Sequence, residues 1–114
     1  MQKFSDPLEI QVHNLRKAAL VYRAVNHPLR QQMLHFLHQK ESATVTEIYI
    51  KLKLEQSVAS QHLGILRRAG LVVTRREGKQ IFYSVQYERV KQLHLLAYEL
   101  LHKEGIDLNG EKNV

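Results

Sequence analysis

The stretch LEQSVASQHLGILRRAGLVVTRREGKQIFYSV, residues 54–85, changes its period once, at Gly70. Before that glycine, apolar residues return every three or four positions. Ala59, Leu63 and Leu66 make a narrow stripe, the spacing of a helix with one buried face. After it the period is two. Leu71 and Val73 alternate with Val72 and Thr74, and Ile81, Tyr83 and Val85 alternate with Phe82 and Ser84. Glu77-Gly78 supplies the bend between two strands. A short helix closed by a glycine and followed at once by a hairpin leaves few folds open.

The segments upstream narrow the choice. In TVTEIYIKLK, Thr44 and Glu47 stand in the spacing of a capping box, and Ile48 and Leu52 continue an inner face. Lys53-Leu54-Glu55 then joins this helix to the next, the connection of a helix-turn-helix. HPLRQQMLHFLHQK begins another helix near Pro28, with Leu29, Met33, Leu34 and Leu37 facing inward. Two longer amphipathic segments bracket the chain. Leu8, Val12, Leu15, Ala19 and Tyr22 form one stripe, with Asp6-Pro7 as cap and first turn. Val90, Leu93, Ala97, Leu100 and Leu101 form the other, and Gly105 offers a stop. The expected fold is mainly α, of the α+β kind: a winged helix-turn-helix in the order ααααββα. Residues 6–104 are expected to form one domain, and residues 105–114 a polar, frayed tail.

The 114-residue chain suits a single domain. It has no cysteine, so disulfides, thiolate metal sites and thiol switches are excluded. No apolar run is long enough to span a bilayer, and the polar start does not read as a signal peptide, so a cytoplasmic protein is expected. The net charge is +6. Residues 44–91 hold nine Lys or Arg against four Glu, so most of that excess sits on the helix-turn-helix and hairpin. A polyanionic partner follows more readily from that placement than from the total.

Double-stranded DNA is the expected partner. A helix entering the major groove, only about 12 Å wide, needs short hydrogen-bonding side chains on its outer face. Gln56, Ser57, Ser60 and Gln61 provide them. Arg67 and Arg68 near the other end, with Arg75, Arg76 and Lys79 in the hairpin, suit phosphates or the neighbouring groove. The competing reading is a solvated surface helix with a basic loop, or a winged helix that grips another protein. His62 is either a phosphate contact or a packing residue. No glycine-rich phosphate loop, paired carboxylates or nucleophile triad supports an enzyme.

These residues resemble the ArsR/SmtB family of bacterial winged-helix repressors. The resemblance rests on Gln56-Ser57, Ser60, His62-Leu63 with Leu66, Ala69-Gly70-Leu71-Val72, Gly78 and Tyr83-Ser84. HPLRQQMLHFL also resembles the family's Asp-Pro-x-Arg helix, with His27 in place of the acid. It implies a homodimer that binds an inverted-repeat operator and releases it to an effector; a DNA-binding protein that acts without an effector is the alternative. The family's DNA-contacting positions fall on Val45, Gln56, Ser57, Ser60 and Gln61. A histidine is common at the position of Gln61, which leaves the base preference there open. Dimerisation through the first and last helices would use Leu8, Val12, Leu15, Ala19, Val90, Leu93, Ala97 and Leu100.

Neither of the family's metal sites carries over. The thiol site falls on Thr44-Val45-Thr46, and the last-helix site falls on Tyr87, Arg89, Leu100 and Lys103. No metal or cofactor is therefore expected. The histidine pairs His35/His38 and His94/His102, with His13 and Glu99, have helical spacing but lack a complete ligand set, and His94 and His102 are the least unsuitable. A small-molecule effector between the first and last helices, lined by Tyr22, Tyr87 and Tyr98, is the remaining expectation.

Overall fold

The computed structural model describes residues 11–102. In chain order the elements are α1 (Val12–Val25), α2 (Pro28–Lys40), β1 (Ala43–Thr44), α3 (Val45–Leu52), α4 (Gln56–Arg68), β2 (Val72–Glu77), β3 (Gln80–Val85) and α5 (Tyr87–His102). The expected order holds, with one addition. Strand β1 is two residues long, and it joins the hairpin in an antiparallel sheet of order β1-β3-β2. Two residues carry no readable period, so only the pairing of Ala43 with Tyr83 and Thr44 with Phe82 reveals it. Asp6, Pro7, Leu8, Lys103, Gly105 and the tail lie outside the described residues.

Local signals set the helix ends. The His27 ring caps α2, its Nδ1 accepting from the Leu29 N–H at 3.1 Å, and Pro28 occupies the first helical position, where no N–H is needed. Histidine thus fills the role that an acid would fill. Thr44 closes the capping box: its Oγ1 accepts from the Glu47 N–H, and Glu47 accepts from the Thr44 N–H at 3.0 Å. Because Thr44 is also the end of β1, one residue ties the sheet to α3. The turn into α4 bends at Lys53, which adopts φ 57 where glycine is favoured. The Leu54 N–H reaches back to the Tyr49 carbonyl to close it.

Helix α4 ends in a Schellman motif. The Gly70 N–H bonds the Arg67 carbonyl and the Leu71 N–H bonds the Leu66 carbonyl, with Gly70 at φ 75. Leu66 and Leu71, the apolar pair that accompanies this motif, are both fully buried. The wing turns over Gly78-Lys79, one residue later than expected, since Glu77 pairs with Gln80. Positive φ falls only on Gly78, the first central residue, which suits a type II′ hairpin turn.

The core is where α2, α3 and α4 meet under the base of the sheet. Met33, Leu37, Ile48, Ala59, Leu63, Leu66 and Leu71 are completely buried there. Each of the larger side chains contributes about 1.5–3 kcal/mol by leaving water. The inner stripes read from α2, α3 and α4 are therefore the core stripes. The bracketing helices differ. Ala24 is the one buried residue of α1 and Leu93 the one buried residue of α5. Two long-range bonds help seat α5: the Tyr87 hydroxyl lies 2.7 Å from His38 Nδ1, and the Tyr22 hydroxyl donates to the Leu93 carbonyl at 3.4 Å. Both helices leave apolar faces open, with Val12, Leu15, Leu20, Leu95, Leu96, Tyr98 and Leu100 exposed.

Candidate nucleic-acid interface

Ala59, Leu63 and Leu66 fix the rotation of α4 by entering the core. At 100° per residue the opposite face then carries Ser57, Gln61, Gly64 and Arg68, with Ser60 at its edge, while Gln56 and Arg67 lie nearer the core stripe. All six polar or charged residues of that set are exposed. Gln56, Ser57, Ser60 and Gln61 occupy its first two turns, and Arg68 lies about 16 Å farther along the axis from Ser57. The N-terminal end has no side-chain cap, so its first N–H groups face outward. Val45, at the first position of α3, is half-buried.

The wing offers two kinds of cation. Arg75 is tied twice, ion-paired to Glu77 and placed over the Phe82 ring 5.2 Å from its centroid. Arg76 projects from the other face beside Ile81, with no ion-pair partner among the described residues, and Lys79 stands exposed at the tip. Space around Gly78 is open, with nothing within 4 Å of where a Cβ would sit. Arg67 and Arg68 both line, with Arg89, a hollow of about 600 Å³ between α1, the end of α4 and α5. Arg68 lies back over Gly64, where a Cβ would meet its Nη1 at 3.3 Å.

A second group holds α4 from behind. Arg30 is 8% exposed and has no carboxylate partner among the described residues. Its Nε donates to the Ala24 carbonyl at 2.6 Å and its Nη2 to the Arg23 carbonyl at 3.3 Å. It thereby caps the end of α1, whose terminal carbonyls carry partial negative charge. Its third nitrogen, Nη1, lies 3.1 Å from His62 Nδ1. His62 is half-buried, and its ring centroid is 5.0 Å from that of His27. Burial first, then the Arg30 and His27 charges, hold His62 below the ordinary histidine value of 6.5. Of the two readings of His62, packing describes its place. Arg30 was legible in part: it falls three and seven residues before Met33 and Leu37, on a stripe otherwise apolar. A charge there signals a buried partner without naming it.

Glu47 is pushed below its ordinary value of 4.5, chiefly by the Thr44 backbone bond and then by Lys40, 3.2 Å away. Among the described residues no three possible metal ligands come together. His94 is exposed and the His102 ring rests on Tyr98 at 4.3 Å. Of the three tyrosines expected between α1 and α5, Tyr22 lies there, whereas Tyr87 is bound to α2 through His38 and Tyr98 faces outward. No helix among the described residues is long and apolar enough to cross a membrane.

Three features together define a winged helix-turn-helix protein: a polar outer helix seated on a conventional core, an αL turn before it, and a basic hairpin after it. Comparison with known proteins agrees. A helix-turn-helix domain model matches residues 26–75. The biofilm growth-associated repressor of Agrobacterium fabrum is 38% identical over 94 residues, 82% of this chain and 80% of that protein. The transcriptional activator HlyU of Vibrio cholerae is 40% identical over 90 residues, 79% of each. A homodimeric winged helix-turn-helix DNA-binding domain from Mycobacterium bovis, described as a possible ArsR-family regulator, superposes with a TM-score of 0.67 at 28% identity, covering 91% of this chain and 94% of that one. The chain belongs to the ArsR/SmtB family of winged helix-turn-helix transcriptional regulators.

Proposed function

We propose that the protein is a homodimeric, sequence-specific DNA-binding repressor that occupies an inverted-repeat operator and leaves it when an effector binds. The observation that carries this reading is the exposed N-terminal half of α4. It presents Gln56, Ser57, Ser60 and Gln61 beside an uncapped helix start, with the basic wing next to it. Glutamine can bond adenine with two hydrogen bonds, and serine a base or phosphate. The open N–H groups suit a phosphate, and Val45 suits a contact beside them. Arg76 and Lys79 supply wing charge, Arg75 less because Glu77 holds it, and Arg67 and Arg68 extend the basic strip along α4.

The dimer reading draws on the apolar faces of α1 and α5. Val12 at 58%, Leu15 at 56% and Leu100 at 78% exposure need cover that the protomer does not give them. Ala19 lies beside them on α1. Val90 and Ala97 are half-buried and Leu93 belongs to the protomer's own core, so on α5 the seam would run through Leu96, Leu100 and their neighbours. Selection of sites from random duplex DNA tests the reading. An inverted repeat with half-sites about one helical turn apart is the expected product. Sequence-blind, salt-sensitive binding would leave a DNA-associated protein without an operator. No binding would favour a winged helix that docks on another protein.

A further inference from the structure

We propose that Arg30 is a positioning residue for the recognition helix, and that it holds α4 in its reading position only while His62 is neutral. The chemistry is in the hydrogen-bond directions. A guanidinium donates and never accepts, and it stays charged at any pH the protein survives. The 3.1 Å contact from Arg30 Nη1 therefore uses the lone pair of His62 Nδ1. The His62 ring must carry its one proton on Nε2. A second proton would have to go onto Nδ1, placing donor against donor and cation against cation.

Among the described residues no nearby charge relieves that clash. The charged or titratable groups acting on His62 are Arg30, on α2, and His27, the cap of α2. Neither is an acid. His27 is constrained in the same way, because its Nδ1 already accepts from the Leu29 N–H. The two rings, 5.0 Å apart, thus both present an accepting Nδ1, and a charge on His27 disfavours one on His62.

The arrangement has reach because Arg30 touches three helices. It belongs to α2, it caps the last turn of α1 through the Ala24 and Arg23 carbonyls, and it bonds α4 through His62. His62 adjoins Gln61 in the chain, so a displacement at one is passed to the other through the shared backbone. The proposal rests on the DNA-binding reading for its consequence, though not for its chemistry.

The direction in pH follows. The pKa of His62 in the folded protein lies below 6.5. The bond is therefore fully present above that value and is lost as pH falls beneath it. Operator affinity of the full-length dimer, measured by fluorescence anisotropy at constant ionic strength, should weaken from about pH 7.5 to about pH 5.5, by less than about tenfold because one proton with a pKa below 6.5 can do no more. His62→Asn keeps an acceptor oxygen near the place of Nδ1 and cannot titrate. It should bind normally at the upper pH and lose much of the dependence. A pH profile in His62→Asn like that of the wild type would overturn the proposal.

Nitrogen NMR of the DNA-free wild-type protein tests the same point without a variant. It should show neutral His62 protonated at Nε2, titrating below 6.5. A neutral ring protonated at Nδ1 would refute the bond outright. If the protein binds no operator but His62 has the expected tautomer and titration, the DNA-binding reading has failed and the contact stands.

Discussion

Replacing Glu77 with Gln is the perturbation that separates the wing's cations most cleanly. Arg75 is ion-paired to Glu77, and the two side chains are 55% and 58% exposed. An exposed pair of this kind adds only about 0–1 kcal/mol to stability, so the fold should tolerate the change with little shift in melting temperature. Its electrostatic effect on DNA binding is larger. In the wild type, Arg75 offers DNA a charge already partly neutralised, whereas Arg76 has no such partner among the described residues. Glu77→Gln frees Arg75, which the Phe82 ring keeps in place. One additional phosphate contact steepens the plot of log affinity against log salt by about 0.9. Between about 50 and about 200 mM salt the variant should lose about 3.5-fold more affinity than the wild type, starting from tighter binding at low salt. Arg76→Gln should flatten the plot by a similar amount, and Arg75→Gln by less. Fluorescence anisotropy with a labelled duplex at four or more salt concentrations measures all three. An unchanged slope in both Glu77→Gln and Arg76→Gln would remove the wing from the DNA contact surface.

Other substitutions test the frame behind the reading face. Thr44→Ala should cost about 1 kcal/mol in urea denaturation while Thr44→Ser costs much less, because only the first removes the oxygen that caps α3; equal losses would mean that burial of Thr44 matters and its cap does not. The Glu47 pKa is lowered in the fold, so its contribution is present above pH 4.5 and lost as pH falls below it, and Thr44→Ala should be less sensitive to acid than the wild type over that range. Lys53→Gly should raise stability by about 0.5–1 kcal/mol by relieving the positive φ at the turn before α4, and a lower urea midpoint would contradict that account. Leu100→Asp, at a position 78% exposed in the protomer, should leave the fold intact and give a monomer by sedimentation with weak operator affinity; a persisting dimer would place the seam elsewhere.

Much of the frame follows from local chemistry and so is written locally. Ala59, Leu63 and Leu66 set the buried side of α4, and a helix with one side fixed has its outer side fixed too. Of the residues proposed to read DNA, Ser57, Ser60 and Gln61 are exposed for that reason, and Gln56 is exposed at the first position of the helix. The Thr44-Glu47 box and the Gly70 stop are interactions within a few residues, and both formed as their spacing required. The change of period at Gly70 marked the hairpin, and the turn was misplaced by one residue because Glu77, Gly78 and Lys79 are all tolerable there.

Tertiary structure decided what each stripe meets. The stripe of α1 through Val12, Leu15 and Ala19 has the same spacing as a core stripe, yet it stays open, since periodicity reports an apolar face and not its cover. Leu93 went the other way, into the protomer's own core. Strand β1 exists only because β3 lies beside it. The contacts that position α4 and α5 span the chain: Arg30 to His62 across 32 residues, His38 to Tyr87 across 49, and Tyr22 to Leu93 across 71. No local pattern specifies such pairs, because they depend on how the helices pack after the local elements have formed. The sequence by itself determined which residues face DNA in the proposed complex. The packing of α1 and α2 behind them decided that a buried arginine meets a half-buried histidine of α4 there.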